Sequence, residues 1–173
     1  AGVRAFTATS GPGLSLMAES ISMAATAEIP VVIIDVMRAG PSTGMATKVE
    51  QSDIRYAIGS GHGDAEKIVL AAASIEDCYY ITQEAFNLAE KFQTPVIVLS
   101  DLQFGMCKQS VPAFDLHRVG IERGKLIREG LPELDTKKKE YFHRFEDVED
   151  GISPRTIPGV KNGMFLSTGL EHN

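Results

Sequence analysis

The sequence predicts an α/β chain built on a doubly wound parallel sheet, and three observations carry that expectation. Two near-continuous apolar runs, "PVVIIDVM" at 30–37 and "TPVIVLS" at 94–100, have the character of strands covered on both faces. Between and around them apolar residues recur at helical spacing. The order strand, helix, strand, loop, strand, helix, strand is that of an open sheet wound in both directions.

The elements follow in order. Val3–Thr9 is short, apolar and partly β-branched, and reads as a strand. Pro12 suits a first helical turn, where the missing N–H would be unsatisfied anyway. Leu14, Met17, Ile21 and Ala24 or Ala25 continue at helical spacing toward Glu28. Ile68–Ala72 is a further strand. Ile75, Cys78, Tyr79, Thr82, Ala85, Phe86, Ala89 and Phe92 mark one face of a long helix. Ser74 is placed to cap it, and Asp77 stands three residues on as a shorter substitute for the capping-box glutamate. Beyond Phe114 no period persists, and "DGISPRTIPGVKNG" consists of turn signals. We therefore divide the chain into an α/β domain over 1–114 and an extended connector or arm over 115–173, with Met164–Thr168 as one more strand.

Composition narrows the functional classes. The chain has 173 residues, a net charge of −6, 43% hydrophobic and 23% charged residues. An acidic chain of this kind lacks the basic face of a general nucleic-acid or anionic-membrane binder. No apolar run reaches the roughly 18–20 residues of a membrane span. Cys78 and Cys107 form no CxxC pattern and read as free thiols of a reducing cytoplasm. His62, His117, His143 and His172 show no metal-ligand spacing, so no metal site is expected. The "KKK" run at 137–139 reads as a solvated face balancing neighbouring acids. There is no GxGxxG after a strand, no Walker loop and no GxSxG elbow.

Two stretches carry candidate chemistry. "TSGPG" at 9–13 follows the first strand. Its glycines let backbone N–H groups approach a ligand, and the following helix start offers partial positive charge. Equally, it serves as a tight strand-to-helix turn. "MRAGPSTGMATKVEQSD" at 37–53 follows a buried strand, at the edge where open parallel sheets place ligands. Arg38 there offers a two-donor fork suited to a carboxylate, with Ser42 and Thr43 adding hydroxyls. The competing reading pairs Arg38 with Glu50 or Asp53. In "GSGHGD" at 59–64, His62 reads as a loop histidine.

"TATSGPGLSLMAES", "PVVIIDVMRAGPSTGMATKVEQSD", "GHGD", "EDCYYITQEAFNLAEKFQTPVIVLSD" and "EDGISPRTIPG" together closely resemble the alpha subunit of 2-oxoacid:ferredoxin oxidoreductases, nearest the 2-oxoglutarate type. The resemblance implies the pyrimidine-side fold of thiamine diphosphate enzymes. It also implies a reaction. Thiamine diphosphate attacks the ketone carbon of a 2-oxoacid, carbon dioxide leaves, electrons pass through an iron–sulfur cluster to ferredoxin, and coenzyme A takes the acyl group. Arg38 matches the family arginine that orients the substrate carboxylate, and Thr43 the threonine beside it. Ser10, Gly11 and Gly13 match the turn near the cofactor's pyrimidine end.

The family glutamate that activates the aminopyrimidine has no counterpart here, since no acid precedes Glu19. The chain therefore resembles part of a longer subunit. By the same resemblance, the diphosphate, magnesium and iron–sulfur cluster belong to a beta-subunit partner, with room for further small subunits. Two alternatives stay open at this level. One is a non-oxidative thiamine diphosphate lyase or synthase, and the other a non-catalytic α/β partner-binding module.

Overall fold

The computed structural model describes residues 2–135 and 140–167. Lys137–Lys139, Thr168 and His172, named above, lie outside the described residues. The described chain forms two compact units, one over Arg4–Glu122 and one combining the amino-terminal residues to Val3 with the chain from Arg123 onward.

The first unit is a four-stranded parallel sheet. Its elements are β1 (Phe6–Thr9), α1 (Pro12–Ser15), α2 (Ala18–Thr26), β2 (Val31–Met37), α3 (Ile54–Gly59), β3 (Ile68–Ala71), α4 (Ile75–Phe92), β4 (Pro95–Asp101) and α5 (Leu102–Met106). The strand order is β1-β2-β4-β3, so the two apolar runs are the central strands, as expected. Side chains alternate across each strand. Ile33, Met37, Ile97 and Leu99 pack with Leu14, Ile21 and Ala57 on one face. Val32, Val96 and Val98 pack with Ala85 and Ala89 of α4 on the other. Helices thus cover both faces, which is why β2 and β4 need apolar residues at nearly every position.

Four local expectations are corrected. The first strand begins at Phe6 rather than Val3, because Arg4 turns toward α4. Its guanidinium donates to Glu90 Oε2 (2.8 Å), Asn87 Oδ1 (2.7 Å) and the Glu122 carbonyl (2.6 Å). The helix expected from Pro12 to Glu28 is two helices. Gly13 N bonds to Ser10 O, Leu14 N to Gly11 O and Met17 N to Leu14 O, three-residue closures that tighten the first turn and put it out of phase with α2. The stretches at 38–53 and 60–64 are loops, but the short helix α3 joins them. Met164–Ser167 is not a strand. A bond from Phe142 N to Met164 O (2.8 Å) does not propagate into a pairing among the described residues.

The long helix begins as its sequence requires. The Ser74 side chain accepts from Asp77 N at 3.0 Å, while Asp77 Oδ2 accepts from Ala73 N at 2.8 Å, one residue earlier than a reciprocal box. Ser74→Ala is expected to lower stability by about 1 kcal/mol in urea unfolding, because one orphan donor of the first turn loses its partner. After β4, the chain to Glu122 lies on α4. Tyr80 accepts from Asp115 N (2.9 Å), Phe114 stacks on Tyr79 at 4.1 Å, and Asn87 donates to Gly120 O (2.7 Å).

The second unit holds no helix and no strand ladder among its described residues. Reciprocal bonds from Ile127 N to Arg155 O (2.8 Å) and from Arg155 N to Lys125 O (3.1 Å) form a single parallel bridge. Thr156 Oγ1 donates to Gly163 O, Ser153 Oγ to Glu146 O, and Phe145 meets Phe165 edge-on.

Candidate functional site

The site lies at the carboxyl ends of β1 and β2. Thr9 stands beside Asp35 in the parallel register. The residues that follow each strand therefore emerge next to one another, the place where open parallel sheets hold ligands. From β1 come Ser10, Gly11, Pro12 and Gly13, and from β2 comes Arg38.

Gly11 is buried and has φ 56° and ψ −120°, a conformation that a side chain disfavours. A methyl group there would stand 2.7 Å from Arg38 Nε and 2.9 Å from its Cγ. The turn and the arginine, 27 positions apart in sequence, thus form one surface. Gly13 is glycine for a second reason, since a Cβ there would overlap Thr9 Oγ1. α1 is only four residues long. The positive helix end anticipated from sequence is therefore small, because aligned peptide dipoles add along the helix. What the turn presents is backbone.

The Arg38 backbone is held from the loop that follows. Its N–H donates to Asp53 Oδ2 (3.3 Å), and its carbonyl accepts from Ser52 Oγ. Its side chain is half-buried, and its Nε is buried without a hydrogen-bond partner. Among the described residues no ion pair joins the guanidinium to Glu50 or Asp53. Asp53 serves the backbone instead, so its carboxylate does not consume the fork.

The loop from Ala39 to Lys48 closes on itself. Met45 N donates to Ala39 O (2.8 Å), Ala39 N to Lys48 O (3.0 Å) and Gly44 N to Pro41 O (3.2 Å), and the Gly40–Pro41 peptide is cis. Thr43 is exposed at its tip, and no hydrogen bond joins it to Arg38 among the described residues. Gly44 has φ 63°, and a Cβ there would overlap the Ala39 carbonyl oxygen. Gly44→Ala is therefore expected to open this loop at a cost of about 1–3 kcal/mol. Limited proteolysis within 39–48 should accelerate roughly tenfold or more, with the melting of the sheet little changed.

One functional candidate escapes sequence reasoning. Asp35 sits in the middle of β2, 0% exposed, with its Oδ1 accepting from Gly11 N (3.2 Å) and its Oδ2 buried without a partner. Burial foremost, then the nearby Asp53 charge, push its carboxyl up to about 7, against the smaller opposing effects of the Gly11 amide and Arg38. The available signal was a lone acid inside "PVVIIDVM".

The remaining titratable candidates stand elsewhere. His62 is exposed, and its backbone N–H donates to Ser22 Oγ (3.2 Å). Burial and then Asp77 raise the Cys78 thiol above its ordinary range, which keeps it protonated and unreactive. Cys107 is an exposed free thiol. Among the described residues no three His, Cys, Asp or Glu side chains form a metal-binding group. No described helix is long and apolar enough to cross a membrane.

Comparison with known proteins places this arrangement. Residues 1–173 match the family described as pyruvate flavodoxin/ferredoxin oxidoreductase, thiamine diphosphate-binding. The chain is 50% identical over 175 residues to subunit alpha of 2-oxoacid:ferredoxin oxidoreductase 2 of Aeropyrum pernix, covering 100% of this chain and 26% of the relative. It is 56% identical over 196 residues to the 2-oxoglutarate synthase subunit KorA of Archaeoglobus fulgidus, covering 99% of this chain and 55% of that subunit. Among solved structures it is similar to the 2-oxoglutarate:ferredoxin oxidoreductase of Magnetococcus marinus, a structure with 2-oxoglutarate, coenzyme A and succinyl-CoA bound. The TM-score is 0.88 at 44% identity, covering 99% of this chain and 28% of that one. The chain thus spans between about a quarter and about half of these relatives. With its parallel sheet, its glycine turn and its arginine loop, the chain belongs to the thiamine diphosphate-binding family of pyruvate flavodoxin/ferredoxin oxidoreductases.

Proposed function

We propose that this chain is the pyrimidine-side part of the alpha subunit of a 2-oxoacid:ferredoxin oxidoreductase, which decarboxylates a 2-oxoacid oxidatively, passes the electrons to ferredoxin and transfers the acyl group to coenzyme A. The observation that carries this reading is the Arg38 guanidinium. It lies at the carboxyl end of β2 against the Gly11 turn, its Nε has no hydrogen-bond partner, and no ion pair joins it to an acid among the described residues. The named activities of the relatives support the same reaction class.

In this reading Arg38 binds the carboxylate that all 2-oxoacids share, through two parallel donors, and the Thr43 hydroxyl adds a further hydrogen bond. Ser10, Gly11 and Gly13 lie along the aminopyrimidine end of the cofactor. The chemistry of this turn suits that end of thiamine diphosphate, since a buried guanidinium nitrogen beside it lacks a partner. When bound, the cofactor supplies the carbanion chemistry that lets a 2-oxoacid lose carbon dioxide. We assign the diphosphate, magnesium and iron–sulfur cluster to a beta subunit. A cluster needs grouped cysteine ligands, and this chain has only Cys78 and Cys107. The activating glutamate belongs to a part of the alpha subunit outside these residues. We take 115–173 as the connector toward a following domain, its first residues pinned on α4, and the compartment as the cytoplasm, in keeping with two free thiols.

The test is copurification of the full-length alpha subunit with its beta partner, followed by ferredoxin reduction across a series of 2-oxoacids with coenzyme A. Reduction that depends on a 2-oxoacid, thiamine diphosphate and coenzyme A supports the proposal. Release of an aldehyde or a condensation product without electron transfer points to the lyase or synthase, and the absence of any turnover points to a binding module. Either result overturns it.

A further inference from the structure

β2 is apolar along its length except at Asp35, whose carboxyl is fully buried. A buried acid costs free energy unless it is paired, and one of its oxygens has no partner. Its register neighbours are Thr9 on β1 and Leu99 on β4, neither of which is charged. A valine or isoleucine at this position would serve the core better. What Asp35 does hold is the Gly11 N–H, at 3.2 Å. Gly11 in turn is the wall against which the Arg38 side chain lies, since an added methyl there would stand within 2.9 Å of both Arg38 Nε and Cγ. The Arg38 main chain is held separately by Asp53 and Ser52.

We propose that Asp35 is a positioning residue for substrate recognition: its carboxylate oxygen anchors the Gly11 amide, and the Gly11 turn so anchored sets the direction of the Arg38 fork. The inference rests on the reading of Arg38 as the carboxylate-binding group. It explains why an unfavourable buried acid stands in the central strand, directly beneath the turn, where its contact reaches the arginine through one glycine. Asp35 itself touches no substrate in this scheme.

The experiment uses the copurified oxidoreductase complex with 2-oxoglutarate as the probe. Asp35→Leu keeps the branching of the side chain, removes the acceptor and leaves no buried charge, with two methyl groups in place of two smaller oxygens. KM for 2-oxoglutarate is expected to rise about tenfold or more while kcat stays within about threefold, the pattern of lost substrate binding. The increase in Tm that 2-oxoglutarate confers on the complex should shrink in parallel. Asp35→Asn keeps a carbonyl oxygen for the Gly11 N–H and should hold KM within about threefold of wild type. In an Arg38→Lys background, Asp35→Leu should add less than about threefold, because the fork it positions is gone. An unchanged KM in Asp35→Leu overturns the proposal, as does an effect that adds in full on Arg38→Lys. If Asp35→Leu does not assemble, Gly11→Ala displaces the Arg38 side chain directly and should raise KM to a similar extent; an unchanged KM there also overturns it. Arg38→Lys alone reports on the reading beneath. If it leaves KM and kcat/KM unchanged, the carboxylate assignment falls and the proposal falls with it. If it impairs the enzyme while Asp35→Leu does not, only the positioning role is lost.

Discussion

Arg38→Lys in the assembled oxidoreductase is expected to lower kcat/KM about 30- to 150-fold with every 2-oxoacid tested, equivalent to about 2–3 kcal/mol of lost transition-state binding. Lysine keeps the positive charge but presents it as a point on a flexible stem, whereas the guanidinium offers two parallel donors to two carboxylate oxygens. The loss should be uniform across substrates, because the carboxylate is their common part and the remaining side chain is not addressed by this contact. Folding should be intact. The Arg38 main chain keeps its bonds to Asp53 and Ser52 whatever side chain it carries. The rival role, a surface ion pair, predicts a change of about 1 kcal/mol or less. It already lacks its partner, since no ion pair joins the guanidinium to Glu50 or Asp53 among the described residues and Asp53 is bonded to the backbone amide. Near-normal efficiency in the variant would reduce Arg38 to a scaffold residue.

Asp35→Asn should flatten the pH dependence of stability between about pH 4 and pH 7. The native carboxyl titrates at about 7, while an unfolded aspartate titrates near 3.9. In that window the native state holds a proton that the unfolded state has released, so rising pH favours unfolding. The stabilisation is complete below about pH 4, declines through the window and is gone above about pH 7. Three pH units correspond to about 4 kcal/mol, a large fraction of the stability of an ordinary domain. Urea unfolding of the full-length subunit and of its Asp35→Asn variant, at several pH values from 4.5 to 8.5, measures this directly. The two stability curves should converge toward low pH and separate by several kcal/mol as pH rises, the variant losing less. Parallel curves would mean that Asp35 is solvated or paired in the native state. The groups that set the effect are named by the geometry: Asp53 reinforces the raised value, while the Gly11 amide and Arg38 oppose it.

Much of the site was legible because its parts are local. An arginine after a buried strand, a glycine-shaped loop and a glycine turn after another strand are each written in contiguous residues. Their hydrogen-bonding potential follows from residue type alone. The capping serine of α4 belongs to the same class, since its partner Asp77 N is three residues away. The short helices α3 and α5 were missed for the opposite reason. Five or six residues are too few to display a 3.6-residue period, and tertiary packing around Ala57 stabilises α3.

By itself the sequence determined the central strands, the long amphipathic helix and the residue types of the site, because burial on two faces and helical periodicity impose repeating patterns on consecutive residues. Only the tertiary structure decided that Gly11 and Arg38 touch, that Asp53 bonds a backbone amide and leaves the guanidinium uncommitted, and that Asp35 is buried beneath the turn. Those facts depend on the register that sets Thr9 beside Asp35. Register is a relation between two strands separated by two helices, and strand composition does not encode it. A lone acid in an apolar run is compatible with an exposed edge or a buried centre, and its charge has different chemistry in each. The pairing of β2 between β1 and β4 removed it from water, and that burial gives this carboxyl its altered titration and its contact with the site.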